Sequence, residues 1–386
     1  MRLNSVVARS LIASAVAASA LAVLPVGPAH ADAPGTLIAA TAQPAGFHDQ
    51  PNGSVLTYWT TRSNGEPVRA SGALLIPEGP APAGGWPIMA YDHGTSGLGA
   101  GCGGMSGPDP VSGRNTDDRI RYLLSRGFAV AAPDYLGLGL FDTGPHPYLE
   151  LRTEATATID MVKAARAARP DLSRTWAVTG FSQGGHAALG AANLAGSLAP
   201  ELDFRGVIAV DPASDIEKFV PLLGPGVPAL PVAQSNEAVG LIVSILAGLR
   251  EVHPELDVDG YLTPRGRDVL DAAASQCYYD IARTVGGSAI GELLARPLDD
   301  PGFRAAVDAY MRIPTSGYTA PILLLLNAAD YVVPSPLHAA LAAQFSAAGV
   351  NYETVVGTGP HVQLSPQMYA AMDEFTTRML ASPTVS

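Results

Sequence analysis

Cysteine is almost absent from this 386-residue chain, which holds only Cys102 and Cys277. No CxxC or HExxH spacing accompanies the eight scattered histidines, so nothing points to a metal site. Basic charge is also scarce. Twenty-three Lys and Arg face thirty-five Asp and Glu, a net charge of −12, which argues against nucleic acid or an anionic membrane as partner and favours a neutral or lipid-like one. Beyond residue 31 no apolar run is long enough to span a bilayer, the best being Val239 to Leu249. Repeats and low-complexity linkers are lacking too, so one principal domain with an insertion is expected.

The first thirty-one residues read as a signal peptide. Arg2 and Arg9 flank a polar start, Leu11 to Val26 is apolar, and Ala29-His30-Ala31 offers the small residues of a cleavage site. The mature chain then begins near Asp32. Losing two arginines and no acid takes the charge from −12 to −14. In the oxidising compartment that export implies, the even cysteine pair predicts a disulfide. It would close a loop of about 175 residues, for which chain entropy gives an upper figure of about 5 kcal/mol.

Ser54 to Arg62 and Val68 to Ile76 alternate as strands around the turn signal Ser63-Asn64-Gly65-Glu66-Pro67, predicting an antiparallel hairpin. From Trp86 onward short apolar runs alternate with helical segments (Asp117 to Arg126, Thr153 to Ala168, Gly184 to Leu198), the pattern of a mainly parallel sheet covered on both faces. After RGVIAV (Arg205 to Val210) the alternation stops. Residues 212–319 carry no convincing strand and read as a mainly helical insertion, after which PILLLLN, a helix from Pro336 to Ala348 and a strand from Asn351 to Val356 resume the pattern. The boundaries are therefore 1–31 for the leader, 32–211 and 320–386 for an α/β core, and 212–319 for a cap.

Gly180-Phe181-Ser182-Gln183-Gly184 matches G-x-S-x-G between a strand and an Ala-rich helix. Such a strand–turn–helix pushes the serine hydroxyl out of a strained turn, and the helix start aims free amides at the same point. Ser182 is thus the candidate nucleophile, and it needs a base held by an acid. Asp330 ends the strand run PILLLLNAAD and His361 follows the last strand, in the order the scheme requires. Asp211, at the end of VIAVDP, is the rival acid, while Asp134 reads as a loop tether. His186, one turn beyond Ser182, points away from the hydroxyl and reads as packing or support. His253 and His338 have no acid partner in view along the sequence.

The loop Tyr91-Asp92-His93-Gly94-Thr95-Ser96-Gly97 follows a strand where a second oxyanion donor belongs, so the Gln183 and Thr95 amides are the expected pair. Its glycines do not make a phosphate loop, because no Gly-Lys-Ser/Thr follows.

The set of HGT with a cysteine soon after, GFSQGGHAAL, DYVVP and GPH resembles the α/β-hydrolase superfamily. More narrowly it resembles the secretory lipases of the lipase A type from fungi and actinobacteria, over most of the chain from about Gly72. The resemblance implies an α/β-hydrolase fold with a helical cap, a triad of Ser182, Asp330 and His361, and acyl transfer through an acyl-enzyme without metal or organic cofactor. It implies a secreted lipase or esterase acting on small-molecule or lipid esters. A peptidase, an acyltransferase, a polyester or cutin-type esterase and a non-catalytic binding protein are the alternatives. The fungal members of that family differ where this chain reads DHGT, which makes His93 the alternative to Thr95 as oxyanion donor. Pro221 to Pro231 and Val239 to Leu249 are apolar enough to wall an acyl pocket or meet a lipid surface, and equally to pack the cap on the sheet.

Overall fold

The computed structural model describes residues 32–107, 114–227 and 236–382. The expected leader, residues 1–31, and residues 228–231 of the apolar PLLGPGVPALP stretch lie outside them.

Among the described residues nine strands form one sheet: β1 (Leu37–Gln43), β2 (Gly53–Thr61), β3 (Pro67–Leu75), β4 (Trp86–Asp92), β5 (Ala129–Pro133), β6 (Leu172–Phe181), β7 (Asp203–Val210), β8 (Ile322–Asn327) and β9 (Tyr352–Gly357). Their order is β1-β2-β3-β5-β4-β6-β7-β8-β9, antiparallel from β1 to β5 and parallel from β5 onward. The hairpin expected from alternation is β2–β3. β1 was not expected, because this edge strand is mostly exposed and shows no period-two apolar pattern. The inner parallel strands β5 and β8 are buried on both faces and read as continuous apolar runs, whereas the edge strand β9 is mostly exposed.

Among the described residues five helices cover the sheet: α1 (Arg114–Ser125), α2 (Leu151–Ala168) and α3 (Gln183–Leu198) before the insertion, and two after it. The insertion holds α4 (Ile216–Phe219), α5 (Asn236–Val252), α6 (Pro264–Ala273), α7 (Tyr278–Val285), α8 (Ile290–Leu293) and α9 (Pro301–Met311), with no strand of the sheet among its described residues. The last two helices are α10 (Ser335–Ala348) and α11 (Pro366–Met379). Ile159 of α2, Leu189 of α3 and Phe345 of α10 pack on one sheet face, while Leu123 of α1 and Phe375 of α11 pack on the other. The inserted helices bury a core of their own around Val243, Leu246, Leu270, Ile281 and Phe303. Cys102 and Cys277 form a disulfide that joins the loop after β4 to the start of α7.

Candidate active site

Ser182 lies in the tight turn from β6 into α3, with φ 59° and ψ −119°, a region that L-residues rarely occupy. The turn closes only because of its glycines. A Cβ on Gly180 would sit 1.9 Å from the Gly184 carbonyl oxygen, and one on Gly184 would sit 1.9 Å from the Asp92 carbonyl oxygen. The Ser182 amide donates to Val210 O at 2.9 Å, which ties the turn to the end of β7.

Asp330 and His361 meet across the carboxyl ends of β8 and β9. His361 Nδ1 donates to Asp330 Oδ2 at 2.6 Å, and Oδ1 of the same carboxylate accepts the Val332 and Val333 amides at 2.8 and 3.0 Å. Burial raises a carboxyl pKa, but the hydrogen bonds and charges of His338 and His361 outweigh it and hold Asp330 well below the usual carboxylate range. His361 Nε2 is buried, with no hydrogen-bond partner among the described residues, and the ring lines the same cavity as Ser182. Asp211, the rival acid, is used differently. Its carboxylate accepts the Asn327 amide and side chain and the Val362 amide, each at 2.7 Å, and so fixes the loop that carries His361. Asp134 is a loop tether: it accepts the Met105 and Ser106 amides and the Ser71 hydroxyl.

Gln183 opens α3, and Thr95 lines the same cavity as Ser182. The Thr95 hydroxyl shares a 2.8 Å hydrogen bond with Tyr148, which fixes the loop. His93 is directed away: its ring is buried against the carbonyls of Gly94 and Asp134, and burial lowers its pKa.

Two lobes open from Ser182. The larger, about 600 Å³, is lined by Thr95, Arg119, Tyr278, Asp280, Arg283 and His361 among others. The smaller, about 320 Å³, is almost wholly apolar, walled by Leu149, Phe219, Leu241, Ile242, Ile245 and Leu337. Helix α5 serves both readings of its apolar sequence: Val239, Val243 and Leu246 pack inside the insertion while Leu241, Ile242 and Ile245 face the lobe.

The sequence profile of the secretory lipase family matches residues 115–386, more than half of the chain. The chain belongs to the secretory lipase family. Its fold is that of the α/β-hydrolase lipases and esterases. It superposes on Candida antarctica lipase A with a TM-score of 0.71 at 21% identity, covering 86% of this chain and 78% of that one. The match to the rice cell wall degrading esterase LipA from Xanthomonas oryzae has a TM-score of 0.65 at 20% identity, covering 90% and 96%. Among curated proteins it is 25% identical over 309 residues to the Mycobacterium tuberculosis protein named "Probable inactive lipase MT1628". That alignment covers 77% of this chain, and the chain spans 66% of that relative's length.

Sequence reasoning missed two features of this site. His338, on α10, does have an acid partner: its Nε2 donates to Asp330 Oδ2 at 3.0 Å, and Ser214 Oγ meets its Nδ1 at 3.2 Å. The two are only eight residues apart, but Asp330 lies in the loop after β8 and His338 on α10, and no motif or period signals that the intervening turn folds one onto the other. Asp211, Asp330 and His338 bring ligand-type atoms within 4.8 Å, but each carboxylate oxygen already accepts an N–H, so hydrogen bonding accounts for the cluster.

The second feature lies behind the turn. Glu154 of α2 is fully buried and accepts from Gln183 Nε2 at 2.7 Å and from His186 Nδ1 at 2.8 Å. His186 Nε2 faces Met311 O of α9 at 2.8 Å, so both ring nitrogens meet acceptors. Burial depresses His186, yet the Glu154 carboxylate prevails and its pKa is raised. His146 behaves oppositely. Its Nδ1 donates to Leu136 O at 2.9 Å and its Nε2 accepts from Gln183 Nε2 at 2.7 Å, the pattern of a neutral ring, and burial lowers its pKa to about 4.

Proposed function

We propose that this chain is an exported serine carboxylester hydrolase, with Ser182 as nucleophile, His361 as general base and Asp330 as the acid that orients it. The observation that carries the reading is the Asp330–His361 pair: His361 Nε2 has no hydrogen-bond partner among the described residues, and its ring lines the same cavity as Ser182. His361 Nε2 would take the serine proton as Oγ attacks the ester carbonyl, and Asp330 would stabilise the imidazolium. The Gln183 and Thr95 amides would receive the oxyanion. Collapse of the tetrahedral adduct breaks the bond to the alcohol, which leaves with the proton from His361. Water, deprotonated by the same ring, then releases the acid and restores Ser182. No metal or cofactor enters this sequence of steps.

The apolar lobe suits an acyl chain and the wider, more polar lobe suits the alcohol. On this reading residues 212–319 act as a cap over the acyl site. Tyr279 and Val332 expose large apolar surface by the opening, which supports contact with a lipid surface there. Export is supported by the secretory character of the family, the leader-like first thirty-one residues and the disulfide. No described helix is long and apolar enough to cross a membrane.

The test is turnover of p-nitrophenyl esters from acetate to palmitate by the mature protein and by Ser182→Ala. We expect wild-type turnover and a loss of about 10⁴-fold or more in the variant. A wild-type protein without ester turnover, or an active Ser182→Ala, overturns the reading.

A further inference from the structure

We propose that His338 is a positioning residue for the site: it holds the same Asp330 carboxylate oxygen that His361 meets and moderates how strongly that carboxylate attracts the base. This rests on reading His361 as the base.

Asp330 Oδ2 accepts two imidazole N–H groups, from His361 Nδ1 at 2.6 Å and from His338 Nε2 at 3.0 Å, while Oδ1 is filled by two backbone amides. The carboxylate is therefore held by four donors. The two imidazoles differ in freedom. His361 is partly open to the cavity and must exchange protons with substrate, whereas His338 is 1% exposed and is fixed at its other nitrogen by Ser214. The charged groups facing His338 are Asp330, from the loop after β8, and Asp211, from the end of β7 with Oδ1 3.7 Å from Nε2. Asp211 also fixes Val362, next to His361, so the elements that locate the base and those that locate its acid converge on one buried imidazole.

The physical consequence has a sign. An oxygen that shares its negative charge with His338 offers less to His361. Removing the His338 donor leaves more charge facing His361, favours the imidazolium and keeps the base protonated to higher pH. It also frees the carboxylate to rotate, so the base is less often aligned with Ser182.

The experiment compares His338→Asn, whose shorter amide falls short of Asp330, with His338→Gln, whose amide reaches the position of Nε2. Near-UV circular dichroism checks that each is folded, with His338→Leu as substitute if the Asn variant is not. For His338→Asn we expect the acid limb of the kcat/KM profile to rise by about half a pH unit, and kcat to fall by about tenfold with KM changed less than twofold. His338→Gln should restore both. A readout that needs no turnover is the downfield proton resonance of the His361–Asp330 hydrogen bond, which should move further downfield in His338→Asn and return in His338→Gln. An unmoved limb and resonance in His338→Asn, or a His338→Gln that behaves like it, overturns the proposal. Should wild type fail to turn over esters, the hydrolase reading falls and the resonance alone decides the coupling.

Discussion

Glu154 and His186 form an ion pair behind Ser182 in which neither side chain has any exposure, Oε2 lying 2.8 Å from Nδ1. Because His186 also donates to Met311 O of the insertion, one carboxylate anchors the helix that begins at the nucleophile turn and, through the histidine, the chain of α9. Removing one member of such a pair strands the other charge in a low-dielectric interior. Glu154→Ala is expected to destabilise the fold by about 3–5 kcal/mol in urea titrations. A loss below about 1 kcal/mol would show that the pair is not charged.

The disulfide ties the loop that carries Thr95 to the start of α7. Beside it, Leu98 N donates to Gln276 O and Tyr278 N donates to Ser96 O, each at 2.9 Å. Replacing both cysteines by serine is expected to lower stability by about 2–5 kcal/mol. The loop would also loosen, so kcat on a fixed ester should fall more than KM rises. Equal unfolding midpoints for wild type and the double variant would contradict this.

Leu241 borders both lobes where they join at Ser182. An indole there would project into the narrow apolar lobe, and overpacking rejects the longest chains first. Leu241→Trp is expected to cut kcat/KM for palmitate about tenfold more than for acetate. A uniform loss across chain lengths would place the acyl group elsewhere.

The buried His146 gives stability a pH dependence with a definite sign. Its pKa is about 4 in the fold against roughly 6.5 in an open chain, so the native state favours the neutral ring. The contribution is complete above about pH 6.5 and is lost as pH falls toward 4, amounting to about 3 kcal/mol at most. His146→Gln removes that titration. The stability difference between wild type and His146→Gln should therefore shrink as urea titrations are taken from pH 7 to pH 4, and a constant difference would refute it.

The parallel part of the sheet was legible because its strands are short unbroken apolar runs, as in PILLLLN, and the elbow because glycines bracket Ser182 at spacings the backbone demands. The pairing of Asp330 with His361 followed from their places after successive strands together with the order of nucleophile, acid and histidine that a hydrolase scheme requires. β1 was invisible because an exposed edge strand needs no apolar face. The roles of His338 and Glu154 were invisible for another reason: each depends on side chains from separate elements, and neither a helix period nor a motif carries that information.

With only two cysteines, a single intramolecular pairing is possible. During synthesis Cys102 emerges 175 residues ahead of its partner, so the bond cannot form until α6 has been made and the chain has turned back to the loop after β4. Oxidation is thus a late closing step without a wrong alternative within the chain. A thiol left unpaired reports an unfinished molecule rather than a misassembled one.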